Sequence, residues 1–126
     1  MTTSFYSLSF ILLFTTLLSV PTFTRAVTHD VGDQDGWTEF PNFDTWAEGR
    51  TFHVGDRLLF NYVPELHNVI QVDENGYNEC RSDPNMGLLQ TGNDYIDLTT
   101  VGTFWYICSI DQHCENGQKL SVTVVP

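Results

Sequence analysis

Short β-type runs, cut at regular intervals by turn chemistry, constrain this chain more than any other feature. "RLLFNYV" from Arg57 sets Leu58, Phe60 and Tyr62 on one face against Arg57, Leu59 and Asn61 on the other, the period-two pattern of a half-buried strand. "HNVIQVD" from His67, "DYIDLTT" from Asp94, "TFWYICS" from Thr103 and "KLSVTVV" from Lys119 are rich in β-branched and aromatic residues, which pack well on a pleated surface. "THDV" from Thr28 and "TFHV" from Thr51 are weaker strand candidates. Turn residues separate these runs: Gly32 to Gly36, Val54-Gly55-Asp56, Asn75-Gly76, Asp83-Pro84-Asn85 and Gly92-Asn93. No long stretch keeps a helical period. One short helical turn is expected in "DTWAEGR" from Asp44, with Asp44 as its N-cap. The expected fold class is all-β, a sandwich or small barrel with Greek-key connections.

The N-terminus reads differently. Leu8 to Val20 is an uninterrupted run of apolar and hydroxyl residues, followed by Pro21 and by small residues at Thr24 and Ala26. That is the pattern of a secretory signal peptide cleaved after Ala26, and the run falls short of the roughly 20 residues a spanning helix needs. The chain thus divides into a leader, residues 1–26, and one domain, residues 27–126, exported from the cell. No greasy tail or polar spacer follows, so no stable membrane anchor is expected.

Five basic residues stand against 16 acidic ones, a formal charge of −11. Loss of Arg25 with the leader makes the domain still more acidic. Nucleic acid is excluded as a partner, because phosphate binding needs a basic surface. The acidic surface keeps an exported monomer soluble and would steer a cationic partner.

The chemistry sits in the cysteines and histidines. Cys80, Cys108 and Cys114 are the three cysteines of the domain. In an oxidising compartment two pair and one is left over, and the sequence leaves all three pairings open. A leftover thiol that ligates a metal has a reason to persist. Within "CSIDQHCENGQKL", His113 lies five residues after Cys108 and Gln118 five beyond that, so one loop can fold round an ion and present three donors. His67, after the "PEL" turn, is the candidate fourth. Two imidazoles, one thiolate and a weak axial amide oxygen make a blue-copper electron-transfer set. The soft thiolate binds copper strongly, the imidazoles suit both oxidation states, and the amide oxygen favours Cu(II) more than a thioether would. Such a site carries single electrons between Cu(II) and Cu(I). It needs no general base and no substrate pocket, so no enzyme is expected. If Cys108 takes the metal, Cys80 and Cys114 are left to pair, closing a loop of about 35 residues worth about 3–4 kcal/mol.

Taken together these blocks resemble the phytocyanins, plant blue-copper proteins. "VGDQDGW" from Val31 is similar to the family's opening strand and turn, and "FHVGDRLLFNY" from Phe52 to its second block. "HNV" at His67 is similar to the first copper histidine and its neighbours, "YNEC" ending at Cys80 to the first disulfide cysteine, and "CSIDQHCENGQKL" to the ligand loop. The resemblance spans nearly all of residues 27–126. It implies a Greek-key β-sandwich of the cupredoxin type, one type 1 copper ion, a Cys80–Cys114 disulfide, and a copper-histidine edge through which electrons leave. It also implies a place in the apoplast or cell wall and an unidentified redox partner, a small molecule or a cationic protein. Gln118 resembles the stellacyanin branch, where other members carry Met, yet the long Pro/Ser-rich tail of that branch is missing. Gln112 departs from the Gly that many members carry before the second histidine.

Other residues have plainer readings. Asn68 is a candidate for hydrogen bonding around the thiolate or the ligand loop. His29 and His53 read as structural or surface histidines, and Trp37, Trp46 and Trp105 as core. Two other function classes compete with electron transfer. One is an extracellular interaction or signalling module in which redox is secondary; relatives of that kind lose ligands, whereas this chain keeps four. The other is a zinc site using Cys108, His113 and His67, for which a glutamine fourth ligand would be unusual.

Overall fold

The computed structural model of this chain describes residues 2–4, 9–19 and 25–126. The described parts of the expected leader, residues 2–4, 9–19 and 25–26, carry neither helix nor strand, and the large apolar side chains of residues 10–18 are exposed. The stretch from Val20 to Thr24, just before the expected cleavage position, lies outside the described residues. Among the described residues no helix is long and apolar enough to cross a membrane.

Among the described residues eight strands form two sheets. They are β1 (Thr28–Asp30), β2 (Phe52–His53), β3 (Arg57–Asn61), β4 (Val69–Val72), β5 (Gly87–Leu89), β6 (Asn93–Asp97), β7 (Gly102–Ile107) and β8 (Lys119–Val125). The smaller sheet has the order β1-β3-β6 and the larger β2-β8-β7-β4-β5. Two pairs, β1 with β3 and β2 with β8, are parallel, and the others antiparallel. Because β1 and β3 lie in one sheet and β2 and β4 in the other, the chain crosses repeatedly between layers. This is the predicted Greek-key sandwich.

The alternation read from the sequence sets which faces meet. In β3, Leu58 and Phe60 point inward while Arg57 and Asn61 stay exposed; in β8, Leu120, Val122 and Val124 do the same. These five, with Trp37, Phe43, Val69 and Tyr106, form the core between the sheets, each large apolar side chain contributing about 1.5–3 kcal/mol. The larger sheet is also covered outside. Ile70, Val72 and Ile107 pack there with Cys114, and with Tyr77 and Cys80 from the adjoining helix and its end.

Two short helices differ from the expectation in instructive ways. α1 (Phe43–Glu48) begins one residue before Asp44, and its N-cap is Asn42, whose Oδ1 accepts from Thr45 N at 3.1 Å. Asp44 sits instead in the first turn, where its charge favours the helix N-terminus. Asn75-Gly76 is no turn: it lies inside α2 (Glu74–Glu79), capped by Asp73, whose Oδ1 accepts from Gly76 N at 2.7 Å. Gly76 is required there by close approach. A Cβ would stand 2.8 Å from both Arg81 O and Val72 Cβ, so the glycine lets α2 lie on the sheet. The short edge strand β5 was not foreseen, since "GLL" offers no alternation. His67 and Asn68 precede β4 rather than opening it, because their backbone groups bond elsewhere: His67 N to Val63 O at 3.3 Å, and Asn68 O to Trp37 Nε1 at 2.8 Å.

Away from the ligand loop, His29 is buried and structural. Its Nε2 lies 2.9 Å from Asp56 Oδ2, and Asp56 also accepts from Val27 N at 3.0 Å and His53 N at 2.9 Å. Burial alone would raise the Asp56 carboxyl; the hydrogen bonds from His29, His53 and Val27, with the His29 charge, outweigh it and hold the group below its ordinary range.

A depressed folded-state pKa contributes stability that is present above the unfolded value and lost as pH falls through the folded one. Asp56→Asn is therefore expected to be less stable than wild type at neutral pH, with the gap narrowing below about pH 4, as read by urea melts across the acid range. A gap that stays constant with pH would show that Asp56 contributes no charge-dependent stability. The Cys80–Cys114 bridge spans 34 positions of sequence. Its removal by Cys80→Ala with Cys114→Ala should cost about 3–4 kcal/mol of unfolding free energy, measured by chemical denaturation.

Candidate metal centre

The end of β7 and the start of β8 bound one compact loop. Cys108 N donates to Gln118 O at 3.1 Å, tying the loop ends together. Inside it, His113 N donates to Ile110 O at 3.1 Å, Gly117 N to Cys114 O at 2.9 Å, and Gln118 N to His113 O at 2.9 Å. Nearly every turn of the loop is held by its own backbone, which satisfies polar groups that burial would otherwise strand. Cys114 faces away from the centre, bonded to Cys80. Gln112 is exposed and has no positive φ, so the backbone at this position does not require a glycine. The left-handed residues of the loop are Asp111 and Gly117.

His67 reaches the same point from the segment before β4. The donor atoms of His67, Cys108 and His113 all lie within 4.8 Å of one another. Cys108 Sγ is 4.0 Å from His67 Nδ1 and 3.6 Å from His113 Nδ1, so both imidazoles turn the same nitrogen inward. Their ring centroids are 4.8 Å apart. Cys108 is buried and is the one cysteine outside the disulfide.

Gln118 is distinguished by a different criterion. It is fully buried at 0% exposure. Its Nε2 donates to Trp37 O at 3.1 Å, while its Oε1 is buried without any hydrogen-bond partner. An orphaned buried carbonyl is costly, and a metal ion beside it would remove that cost. The donor chemistry fits as well: two neutral imidazoles, one thiolate and a weak oxygen donor suit a type 1 copper ion.

Electrostatics favour a site ready for metal. Burial pushes the His67 pKa down, and the nearby His113 charge adds to this, against smaller upward influences from Gln118 and Glu39. The two downward effects favour the neutral ring, the form a ligand must take. Burial pushes the Cys108 thiol up, with the backbone N–H groups of Asn68 and Ile110 leaning the other way. The thiol keeps its proton until a cation displaces it.

Around the donors lies a brace that sequence reasoning saw only in part. Asn68 exchanges two hydrogen bonds with Ser109, Nδ2 to Oγ and Ser109 N to Oδ1, both 2.9 Å. That locks the residue after His67 to the residue after Cys108. Trp37, which the sequence suggests only as core, reaches Asn68 O and Gln118 Nε2 from one residue. Glu39 was not singled out at all, yet its Oε1 lies 3.1 Å from His113 Nε2. The only available signal was its position two residues beyond the "DGW" block, and nothing in the residue type marks it.

Residues 37–118 match the plastocyanin-like domain family. The chain is 44% identical over 95 residues to a blue copper protein of Petunia hybrida, covering 75% of this chain and 36% of that one. It is 43% identical over 101 residues to blue copper protein 1a of Medicago truncatula, covering 79% and 63%. It thus spans less than two thirds of the length of both relatives. Among solved structures, cucumber stellacyanin superposes with a TM-score of 0.72 at 37% identity, covering 81% of this chain and 97% of that one. Since the matched stretch, residues 37–118, makes up more than half of its length, the chain belongs to the plastocyanin-like family and has a cupredoxin fold like that of the phytocyanins.

Proposed function

We propose that this chain is a small secreted electron carrier in which His67, Cys108, His113 and Gln118 would hold one type 1 copper ion. One observation carries the reading: three donor atoms converge within 4.8 Å, and the glutamine that closes their loop buries an oxygen with no hydrogen-bond partner. Copper supplies one-electron chemistry between Cu(II) and Cu(I) when bound. The chain's contribution is to keep the donors where they are. Cys108 and Gln118 are tied through the backbone, His113 is held inside the same loop, and His67 is held through Asn68 and Ser109. A site that changes little between oxidation states exchanges electrons with little rearrangement.

The acidic surface suits a small-molecule or cationic protein partner met outside the cell, in keeping with the signal-type N-terminus. The cucumber relative is a stellacyanin described with Cu2+, which supports copper as the metal.

Adding Cu(II) to the purified metal-free protein should give an intense blue colour. Tight zinc binding without colour would favour a zinc site, and no metal binding would favour an interaction module. Cys108→Ser should abolish the colour while the Cys80–Cys114 bridge persists, so thiol titration of that variant should find no free cysteine. Gln118→Met should raise the reduction potential, because a thioether stabilises Cu(II) less than an amide oxygen does. A potential equal to wild type, measured by voltammetry, would remove Gln118 from the ligand set.

A further inference from the structure

His113 is the one ligand histidine whose outer nitrogen meets a carboxylate. Glu39 Oε1 stands 3.1 Å from His113 Nε2, while the opposite nitrogen, Nδ1, faces Cys108 Sγ at 3.6 Å. The second Glu39 oxygen is also used: Asn116 Nδ2 donates to Oε2 at 2.8 Å. The carboxylate is therefore gripped at both oxygens by two residues of the ligand loop. The side chains of His113 and Glu39 keep only 16% and 34% of their surface exposed, so the contact is partly shielded and unlike a freely solvated surface pair. Neither Lys nor Arg pairs with Glu39 among the described residues, so His113 and Asn116 are the polar partners its carboxylate meets.

The chemistry of the contact is directional. An ionised carboxylate only accepts hydrogen bonds, so the single N–H of a neutral His113 ring belongs on Nε2. The lone pair is then left on Nδ1, the nitrogen that faces the thiol. A carboxylate behind a ligand imidazole also makes it a more basic donor. Glu39 lies two residues from Trp37, whose carbonyl receives Gln118 Nε2. One short segment thus holds two of the four donors.

We propose that Glu39 is a positioning residue of the metal centre: it fixes the His113 tautomer and orientation, strengthens divalent-metal binding, and favours the oxidised over the reduced ion. The inference rests on the reading of His113 as a ligand. Loss of an outer partner of this kind typically lowers metal affinity by about 10–100-fold. Glu39→Gln keeps the shape and removes the charge; Glu39→Ala removes both.

The test combines three readouts on wild type, the two Glu39 variants, His113→Ala and the Glu39→Gln/His113→Ala double variant, each first checked for folding by circular dichroism. Zn(II) and Cu(II) affinities come from chelator competition, tautomer state from imidazole nitrogen shifts of the metal-free protein, and potential from voltammetry of the copper form. Glu39→Ala should bind both metals about 10-fold more weakly and show a mixed His113 tautomer. Glu39→Gln should bind Cu(II) more weakly with Cu(I) affinity less affected, so its potential rises. In the His113→Ala background Glu39→Gln should add nothing. Wild-type affinity in His113→Ala would overturn the ligand reading itself. If His113→Ala binds weakly but the Glu39 variants match wild type in affinity, tautomer and potential, only the Glu39 role is overturned. A Glu39→Gln effect that persists in full without His113 would overturn it too.

Discussion

Trp37 is the constraint on which the site depends. Its ring is fully buried, edge-on to Phe60 and tilted against Phe43, so it belongs to the core between the sheets. Its polar atoms do something else. The backbone N donates to Asn61 O at 2.8 Å, the indole Nε1 to Asn68 O at 2.8 Å, and the carbonyl accepts from Gln118 Nε2 at 3.1 Å. The smaller sheet, the His67 segment and the ligand loop therefore meet at one residue. Gly36 makes this possible: at φ 67° it lies in the left-handed region, and a Cβ there would stand 2.6 Å from Asn61 O. Side-chain freedom is given up at Gly36 so that Trp37 can approach the strand end.

From that anchor the metal centre follows as a consequence of rigidity. The disulfide holds the loop from outside, where Cys114 packs with Ile70, Val72 and Ile107. The Asn68–Ser109 pair holds it from the His67 side. Gln118 is turned by Trp37 so that its amide nitrogen is spent and its oxygen is free. Electron transfer benefits from such a frame, since donors that cannot relax cannot trap the electron. The Glu39 contact extends the same logic to His113.

Much of the sandwich was legible because period two leaves a direct trace. β3 and β8 appear where Leu58, Phe60, Leu120, Val122 and Val124 recur at every second position, and β8 matches "KLSVTVV" from end to end. Where local signals compete, tertiary contact decided. Asn75-Gly76 has turn chemistry, yet Asp73 caps a helix over it and Gly76 serves close packing on β4. Asn42 rather than Asp44 caps α1, because both are competent caps and only the packing of Phe43 into the core selects the register. β5 gave no warning, being a short edge strand whose partner β4 supplies the pattern.

The sequence by itself determined the donor types, their order and their spacing along the chain, since softness, charge and hydrogen-bonding capacity are properties of residue identity. It also determined that one cysteine must stand apart from a disulfide, because three cannot all pair. Only the tertiary structure decided that His67 closes on a loop forty residues away, that Cys114 turns outward, and that Gln118 presents oxygen rather than nitrogen. It alone revealed Glu39 behind His113. Those outcomes depend on which backbone atoms lie within about 3 Å of a given side chain, and such distances are set by how the two sheets pack, which no local stretch of sequence encodes.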